Sequence, residues 1–181
     1  MLRIISGKYR HLTISAPNSN LTRPTTDKVR EALMSALGQN LLDATVLDLF
    51  AGSGSLGLEA LSRGAKKAIF CDNNYLAIKC IKSNIEKLKI EEETIVMKCS
   101  YLECLNKLKE NKEKLDIVFL DPPYIKKDVY QEVVNYLFDN DLLSVNAIVV
   151  KEWNHSIPID ERFIHHKEYT YGTIKILIER R

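Results

Sequence analysis

Asp121-Pro122-Pro123-Tyr124 packs a carboxylate, two ring-locked residues and an aromatic ring into four positions. Each proline has a fixed φ and no N–H, so the pair ends a strand and holds its neighbours in place. The preceding run, Ile117-Val118-Phe119-Leu120, reads as a buried strand. An acid and a ring therefore stand at a strand's carboxyl end, where open α/β sheets take their ligands. The chemistry this suits is capture of a planar amine. The carboxylate and a main-chain carbonyl accept its protons while the ring stacks on its face. An Asp-Pro turn ahead of a core tyrosine has the same four residues, and a second motif upstream decides between the two.

That motif follows Val46-Leu47-Asp48-Leu49-Phe50, another apolar strand. It continues Ala51-Gly52-Ser53-Gly54-Ser55-Leu56-Gly57, and residues 52–57 match G-x-G-x-x-G between a strand and a helix. Glycines allow a tight turn and close approach of a ligand to the backbone. The helix start offers free N–H groups and a positive dipole end to an anion. Asp72, at the end of the next strand, is placed to accept hydrogen bonds from both hydroxyls of a ribose. Together these predict a cofactor bearing a nucleoside. A dinucleotide would set a pyrophosphate on the glycine loop; S-adenosylmethionine would set its carboxylate there. Asp48 has little use beside a pyrophosphate and a clear one near the ammonium of a methionyl group. Its other role is local, as an acid that ties the glycine loop to its own backbone. Asp48 and the Asp-Pro-Pro-Tyr segment together favour S-adenosylmethionine over NAD.

These residues need a frame. With 181 residues, 45% hydrophobic and 28% charged, the chain is expected to be one compact globular domain with a full core. No apolar run is long enough to cross a bilayer, nor is there an N-terminal apolar segment of signal-peptide length, so a cytoplasmic location is expected. Cys71, Cys80, Cys99 and Cys104 form no C-x-x-C pair and have no histidine at zinc-ligand spacing. They read as small buried hydrophobes, with no metal and no disulfide expected. No apolar seam suggests obligate pairing, so a monomer is expected.

Charge is uneven. Residues 1–30 hold six Lys/Arg (Arg3, Lys8, Arg10, Arg23, Lys28, Arg30) against one acid, Asp27, while the remainder holds twenty against twenty-three. A basic segment on a mildly acidic body suits a polyanion partner; a solvated surface of no specific role has the same composition.

Leu2–Ser6 and His11–Ile14 flank Gly7-Lys8-Tyr9-Arg10 and predict a hairpin. Ala16–Leu21 reads as a loop. Thr25-Thr26-Asp27 supplies helix-start chemistry, Val29, Leu33 and Leu37 with Ala32 and Ala36 form an apolar stripe, and Gly38 is the stop. From residue 45 strands and helices alternate. Strands are predicted at 46–50, 67–71, 94–98, 117–120 and 147–151, and helices at 55–63, 75–88, 101–109 and 129–138. His165–Tyr171 and Thr173–Glu179 follow around Gly172 with no helix between them. The prediction is a Rossmann-like, doubly wound, mostly parallel seven-stranded sheet with one antiparallel edge strand. Residues 1–38 form a basic hairpin-and-helix extension packed on a core of residues 39–181.

The chain resembles the class I S-adenosylmethionine-dependent methyltransferases. More narrowly, it is similar to the bacterial 16S ribosomal RNA guanine-N2 methyltransferases of the RsmD family. Three segments carry the resemblance: Arg23–Glu31 (RPTTDKVRE), Asp48–Arg63 (DLFAGSGSLGLEALSR) and Asp121–Tyr124 (DPPY). The last two are shared by many amino-group methyltransferases; the first is the narrow one. The resemblance implies a cofactor set of Asp48, Phe50, Ala51, Gly52, Ser53, Gly54, Asp72, Asn73 and Ser100. It implies that Asp121, Pro122, Pro123 and Tyr124 grip the target base, and that Arg23–Glu31 closes over the cofactor and helps seat RNA. The RNA set would be Arg3, Lys8, Arg10, Arg23, Thr26 and Arg30, with ribosomal RNA or the small ribosomal subunit as partner. Ser100 departs from the Asp or Asn that such enzymes often set against the adenine amine, so either it makes a weaker contact or a backbone group reads the adenine. Tyr9 and His11 are candidates for stacking on bases, and Trp153 for the pocket rim or the core. The competing expectations are an adenine-N6 methyltransferase acting on DNA or RNA and, from another class, an NAD-dependent oxidoreductase.

Overall fold

The computed structural model describes residues 2–17, 27–122, 128–153 and 159–181. Seven strands form one sheet: β3 (Thr45–Asp48), β4 (Lys67–Asp72), β5 (Thr94–Lys98), β6 (Leu115–Leu120), β7 (Leu143–Trp153), β8 (His165–Tyr171) and β9 (Ile174–Arg180). Their spatial order is β5-β4-β3-β6-β7-β9-β8. The first five run parallel. The chain starts at β3 in the middle, winds outward through β4 and β5, then returns to the other side through β6 and β7. The reversal falls between β3 and β6, and a crevice at that point is where a doubly wound sheet holds ligands.

Helices α1 (Asp27–Leu37), α2 (Ser55–Ser62) and α3 (Tyr75–Leu88) cover one face. Their buried residues join Val46, Phe70, Phe119, Ile148 and Val150 in one apolar cluster. Helices α4 (Tyr101–Glu110) and α5 (Val129–Asp139) cover the other, packed on Leu47, Ile69, Val118 and Val149. Alternate strand residues thus enter different cores, as expected of a sheet buried on both sides.

One detail of the expected sheet is corrected. The strand that opposes its neighbours is β9, and it lies inside the edge, pairing antiparallel with both β7 and β8. Side chains explain the choice. β9 contributes the buried Ile176, Leu177 and Ile178, whereas β8 (HHKEYTY) is largely exposed and tolerates the edge.

The N-terminal hairpin is present as β1 (Leu2–Arg3) and β2 (Thr13–Ile14), and Ile4 and Ile14 enter the same cluster as α1. The α1 stripe also differs from expectation. Val29, Arg30, Leu33, Met34 and Leu37 are buried, while Ala32 and Ala36 are only partly so.

Candidate active site

Strand register places the acids. Asp48 pairs with Phe70 on one side and Phe119 on the other, and Phe119 pairs with Val150. Phe70, Phe119 and Val150 belong to one core cluster and so share a face. Asp72, Asp121 and Glu152 each lie two residues further along their strands. Side chains alternate, so all three return to that same face at the carboxyl edge. Asp48 stands two residues deeper. Four adjacent strands therefore present a row of carboxyl groups across the switch point, in the order Asp72, Asp48, Asp121, Glu152.

Their environment raises proton affinity. Burial pushes the Asp48 carboxyl up to about 7; a hydrogen bond from the Gly57 N–H opposes this and the Asp72 charge adds to it. Desolvation lifts Asp121 well above the ordinary carboxylate range, and Glu152 and then Asp48 push the same way. Like charges held close while shielded from water disfavour ionisation in this manner.

The glycine loop is tied down by two of these acids. The Gly57 N–H donates to Asp48 Oδ2 at 3.2 Å, and the Gly52 N–H to Asp72 Oδ2 at 2.9 Å. The capping role weighed for Asp48 is thus real. Asp72 Oδ1 also accepts from the Asn74 N–H at 2.8 Å. A carboxylate has about four acceptor positions, so Asp72 retains capacity for hydroxyl donors. Gly52 and Gly54 have φ of 53° and 75°, in the left-handed region. Gly57 is required for a different reason: a Cβ there would meet Phe70 Cε1 at 2.4 Å. The third glycine lets α2 lie down on the sheet. On the outer side of the loop, a Cβ at Gly52 would meet nothing within 4 Å.

Around this loop, Ala51 is buried, with its N–H donating to the Cys71 carbonyl at 2.9 Å. The Ser53 carbonyl accepts from Asn84 Nδ2 at 3.2 Å. Phe50 is half-buried, with its ring centroid 5.7 Å from that of Tyr101. Asn73 is exposed beside Asp72. Ser100 caps α4: its Oγ donates to Glu103 Oε2 at 2.8 Å and accepts from the Glu103 N–H at 3.3 Å. That hydroxyl is engaged in a capping box, which favours a backbone group as the reader of an adenine here. Asp121 and the buried Pro122 stand at the end of β6. Pro123 and Tyr124 lie outside the described residues.

The expected RNA set divides. Arg23 and Thr26 lie outside the described residues. Arg3, Lys8 and Arg10 are exposed, although Arg3 Nε is 3.0 Å from Asp27 Oδ2. Arg30 is a correction. It is fully buried, with Nη2 donating to the Arg3 carbonyl at 2.5 Å and to Asp27 Oδ1 at 3.0 Å, and Nε 3.8 Å from Glu59 Oε2. A basic residue on the core side of an amphipathic helix looks like a surface cation in sequence; here it is a clamp. Tyr9 packs against the core with Lys8 Nζ 5.0 Å from its ring centroid, His11 is exposed, and Trp153 is a core residue packed edge-on to Tyr130.

Three residues escaped the sequence reading. Glu59 on α2 accepts from the N–H groups of Ile5 (2.8 Å) and Ser6 (3.0 Å), latching the hairpin to the helix that follows the glycine loop. Asn84 on α3 bonds Ser15 through both its N–H and its carbonyl while also holding Ser53. Glu152 joins Asp121 only through the β6–β7 register. The one sequence signal for Glu152 is an acid just past an apolar strand, the same signal that marks Asp72.

Residues 2–180 match the family model described as Conserved hypothetical protein 95. The chain is 36% identical to "Ribosomal RNA small subunit methyltransferase D" of Haemophilus influenzae, over 96% of this chain and 90% of that one. It is 33% identical to the Escherichia coli protein of the same name, over 99% and 90%. The solved structure of Escherichia coli yhhF superposes with a TM-score of 0.85 at 31% identity, covering 99% of this chain and 97% of that one. An RNA methyltransferase from Salinibacter ruber, solved with S-adenosyl-L-homocysteine, shares the fold with a TM-score of 0.66 at 16% identity, covering 87% and 93%.

Proposed function

This chain belongs to the Conserved hypothetical protein 95 family, the RsmD family, and on that premise we propose that it methylates small-subunit ribosomal RNA with S-adenosylmethionine, at the exocyclic N2 amine of a guanine. The observation that carries the reading is the meeting of Asp121-Pro122 with Asp48 and the glycine loop at one switch point.

The residues fit the cofactor. The first turn of α2 and the open side of Gly52 suit a carboxylate. Asp48 suits an ammonium, and Asp72 suits ribose hydroxyls. Phe50, Ala51, Ser53, Gly54 and Asn73 line the same loops, and the backbone at Ser100 suits the adenine. S-adenosylmethionine supplies an electrophilic methyl group, its C–S bond breaking as the new C–N bond forms.

The chain's own residues do the rest. Guanine's amine is a poor nucleophile because its lone pair is delocalised into the ring. Asp121 and the Pro122 carbonyl accept its two N–H bonds, returning electron density to nitrogen and aiming the lone pair. Tyr124 stacks on the base, and the fixed φ of a proline at position 123 limits the backbone freedom ahead of it. Alignment of this kind supplies up to ~7–11 kcal/mol in well-ordered cases. Asp121 stabilises the positive charge that builds on nitrogen and accepts the departing proton, which then passes to water. The base must leave its stack to enter, at a cost of roughly a few kcal/mol. An RNA loop meets that need most easily.

The test is incubation with labelled S-adenosylmethionine and small-subunit RNA, both free and assembled into particles, followed by mass mapping of modified nucleosides. N2-methylguanosine is expected, and Asp121→Ala should abolish it while binding of adenosylhomocysteine changes by no more than a few fold. N6-methyladenosine as the product, or activity surviving in Asp121→Ala, overturns the reading.

A further inference from the structure

The Tyr169 and Tyr171 rings stand on the sheet face that carries Asp121, and strand register shows it. Leu120 pairs with Lys151, so Asp121 and Glu152 continue that ladder by one step. Glu152 pairs with Ile176, and Ile176 with Tyr169. Paired positions share a face. Ile176 belongs to the same cluster as Phe119, and Tyr169 and Tyr171 pack against that cluster. Asp121, Glu152, Ile176 and Tyr169 thus form one row across β6, β7, β9 and β8. Three strand spacings put Tyr169 about 14 Å from Asp121. Tyr171 pairs with Ile174 and stands two residues nearer the carboxyl edge.

What the two outer strands show on this face suits a polyanion that carries rings. Beside the tyrosines, β8 sets His165 and Lys167 here, and β9 sets Arg180 and three isoleucines; neither strand adds an acid. Glu168 points to the opposite face, where Lys175 Nζ lies 3.2 Å from its Oε1. The two rings are half-buried and parallel within 9°, their centroids 6.4 Å apart. Lys167 is exposed, with its Nζ 5.0 Å from the centroid of Tyr169. Core packing fixes the inner side of each ring and leaves part of it in water. Every base has a π-face, and aromatic rings beside cations hold single-stranded nucleic acid without reading its sequence.

We propose that Tyr169 and Tyr171 are a stacking platform for unpaired nucleotides of the RNA strand that carries the target guanine, with Lys167 neutralising a phosphate beside them. The inference rests on the methyltransferase reading above and names a second RNA contact of that enzyme. A distance of about 14 Å spans roughly four nucleotides stacked at ~3.4 Å each, so the bases held are a few positions from the target. Stacking them on β8 offsets part of the cost of drawing the guanine out of its own stack.

The guanosine methylated by the wild type is mapped first, and its RNA is used in whichever form, free or assembled into subunits, the wild type accepts. Replacing both tyrosines by leucine keeps apolar contact with the core and removes the π-faces. KM for RNA should rise about tenfold or more, while kcat at saturating RNA falls by less than about twofold. Adenosylhomocysteine affinity, measured by calorimetry, should hold within a few fold and report that the fold is intact. Replacing both by phenylalanine keeps the rings and should restore the wild-type KM.

An unmoved KM in the folded leucine pair overturns the proposal. So does an equal rise in the phenylalanine pair, which would assign the effect to the hydroxyls or to the packing of β8. If the leucine pair fails to fold, Lys167→Gln decides on an exposed residue: the slope of log K against log salt should fall by about 0.7, and an unchanged slope refutes the platform. Wild type that methylates no RNA guanine would sink the functional reading and the platform with it, an outcome distinct from an active enzyme indifferent to these substitutions.

Discussion

Asp48 and Asp121 hold protons more tightly in the folded chain than a free aspartate does, and the sign of that shift has two consequences. For Asp48, with a folded pKa of about 7 against an ordinary 3.8, the favourable contribution to stability is present below about pH 4. It is lost as pH rises through 7. Asp48→Asn removes a charge that is costly at pH 8, so the apo-protein should melt higher than wild type there, with a ceiling of about 4 kcal/mol. The gap should close toward pH 4, and adenosylhomocysteine should bind more weakly. Thermal unfolding across pH checks this; a variant less stable at pH 8 would contradict it. For Asp121 the consequence is kinetic. Only the ionised form accepts an amine N–H beside the Pro122 carbonyl and can take the departing proton, so methyl transfer should rise with pH along a limb displaced above the usual carboxylate range. Asp48 and Glu152 are the charges that displace it, and Glu152→Gln should move the limb to lower pH. A stationary limb in a pH–rate profile would separate the two groups.

At the scale of elements, α2 does two jobs. Its first turn faces the glycine loop, and its body holds the N-terminal hairpin through Glu59 and Ser62. Ser62 Oγ donates to the Ser6 carbonyl at 2.5 Å and accepts from the Tyr9 N–H at 3.0 Å. Glu59→Ala strips acceptors from Ile5 and Ser6 and leaves buried Arg30 without its partner on α2. The expected cost is about 3–5 kcal/mol, together with faster hydrogen exchange at the Ile5 and Ser6 amides than in β3. Equal protection in the variant would mean that apolar packing of Ile4 and Ile14 alone seats the hairpin. Gly57→Ala drives a methyl into Phe70, which is fully buried and packed between α2 and the sheet. Denaturant unfolding should report a loss of about 1–3 kcal/mol. Asn74 and Ser100 cap α3 and α4 by accepting from the N–H groups of Leu76 and Glu103, and both helices start where the sequence predicts. Arg30 was misread because amphipathic periodicity identifies a face, not the partner waiting against it.

Across the whole molecule, the basic hairpin tip stands far from the glycine loop. Lys8 docks through its N–H on the Ser62 carbonyl, at the opposite end of the eight-residue α2 from Gly54. Eight residues of helix span about 12 Å. RNA that reaches both places must span at least that distance. Replacing Lys8 and Arg10 by alanine should weaken RNA binding for any sequence and reduce the slope of log K against log salt by about 0.7–0.9 for each lost phosphate contact. An unaltered slope would remove the tip from the interface. The double substitution is preferable to deleting the hairpin, because Ile4 and Ile14 belong to the core.

Strand and helix order, the glycine loop and the placing of Asp121 at the end of β6 were all readable along the chain. Each depends on neighbours within a few residues, through periodicity, dihedral limits and local capping. The row of Asp72, Asp48, Asp121 and Glu152, the burial of Arg30 and the inner placement of β9 were not. They arise from register and packing between segments tens of residues apart, and a linear pattern carries no record of which strand lies beside which. Local rules chose the parts; the meeting of β6 and β7 at one edge decided which acids share a site.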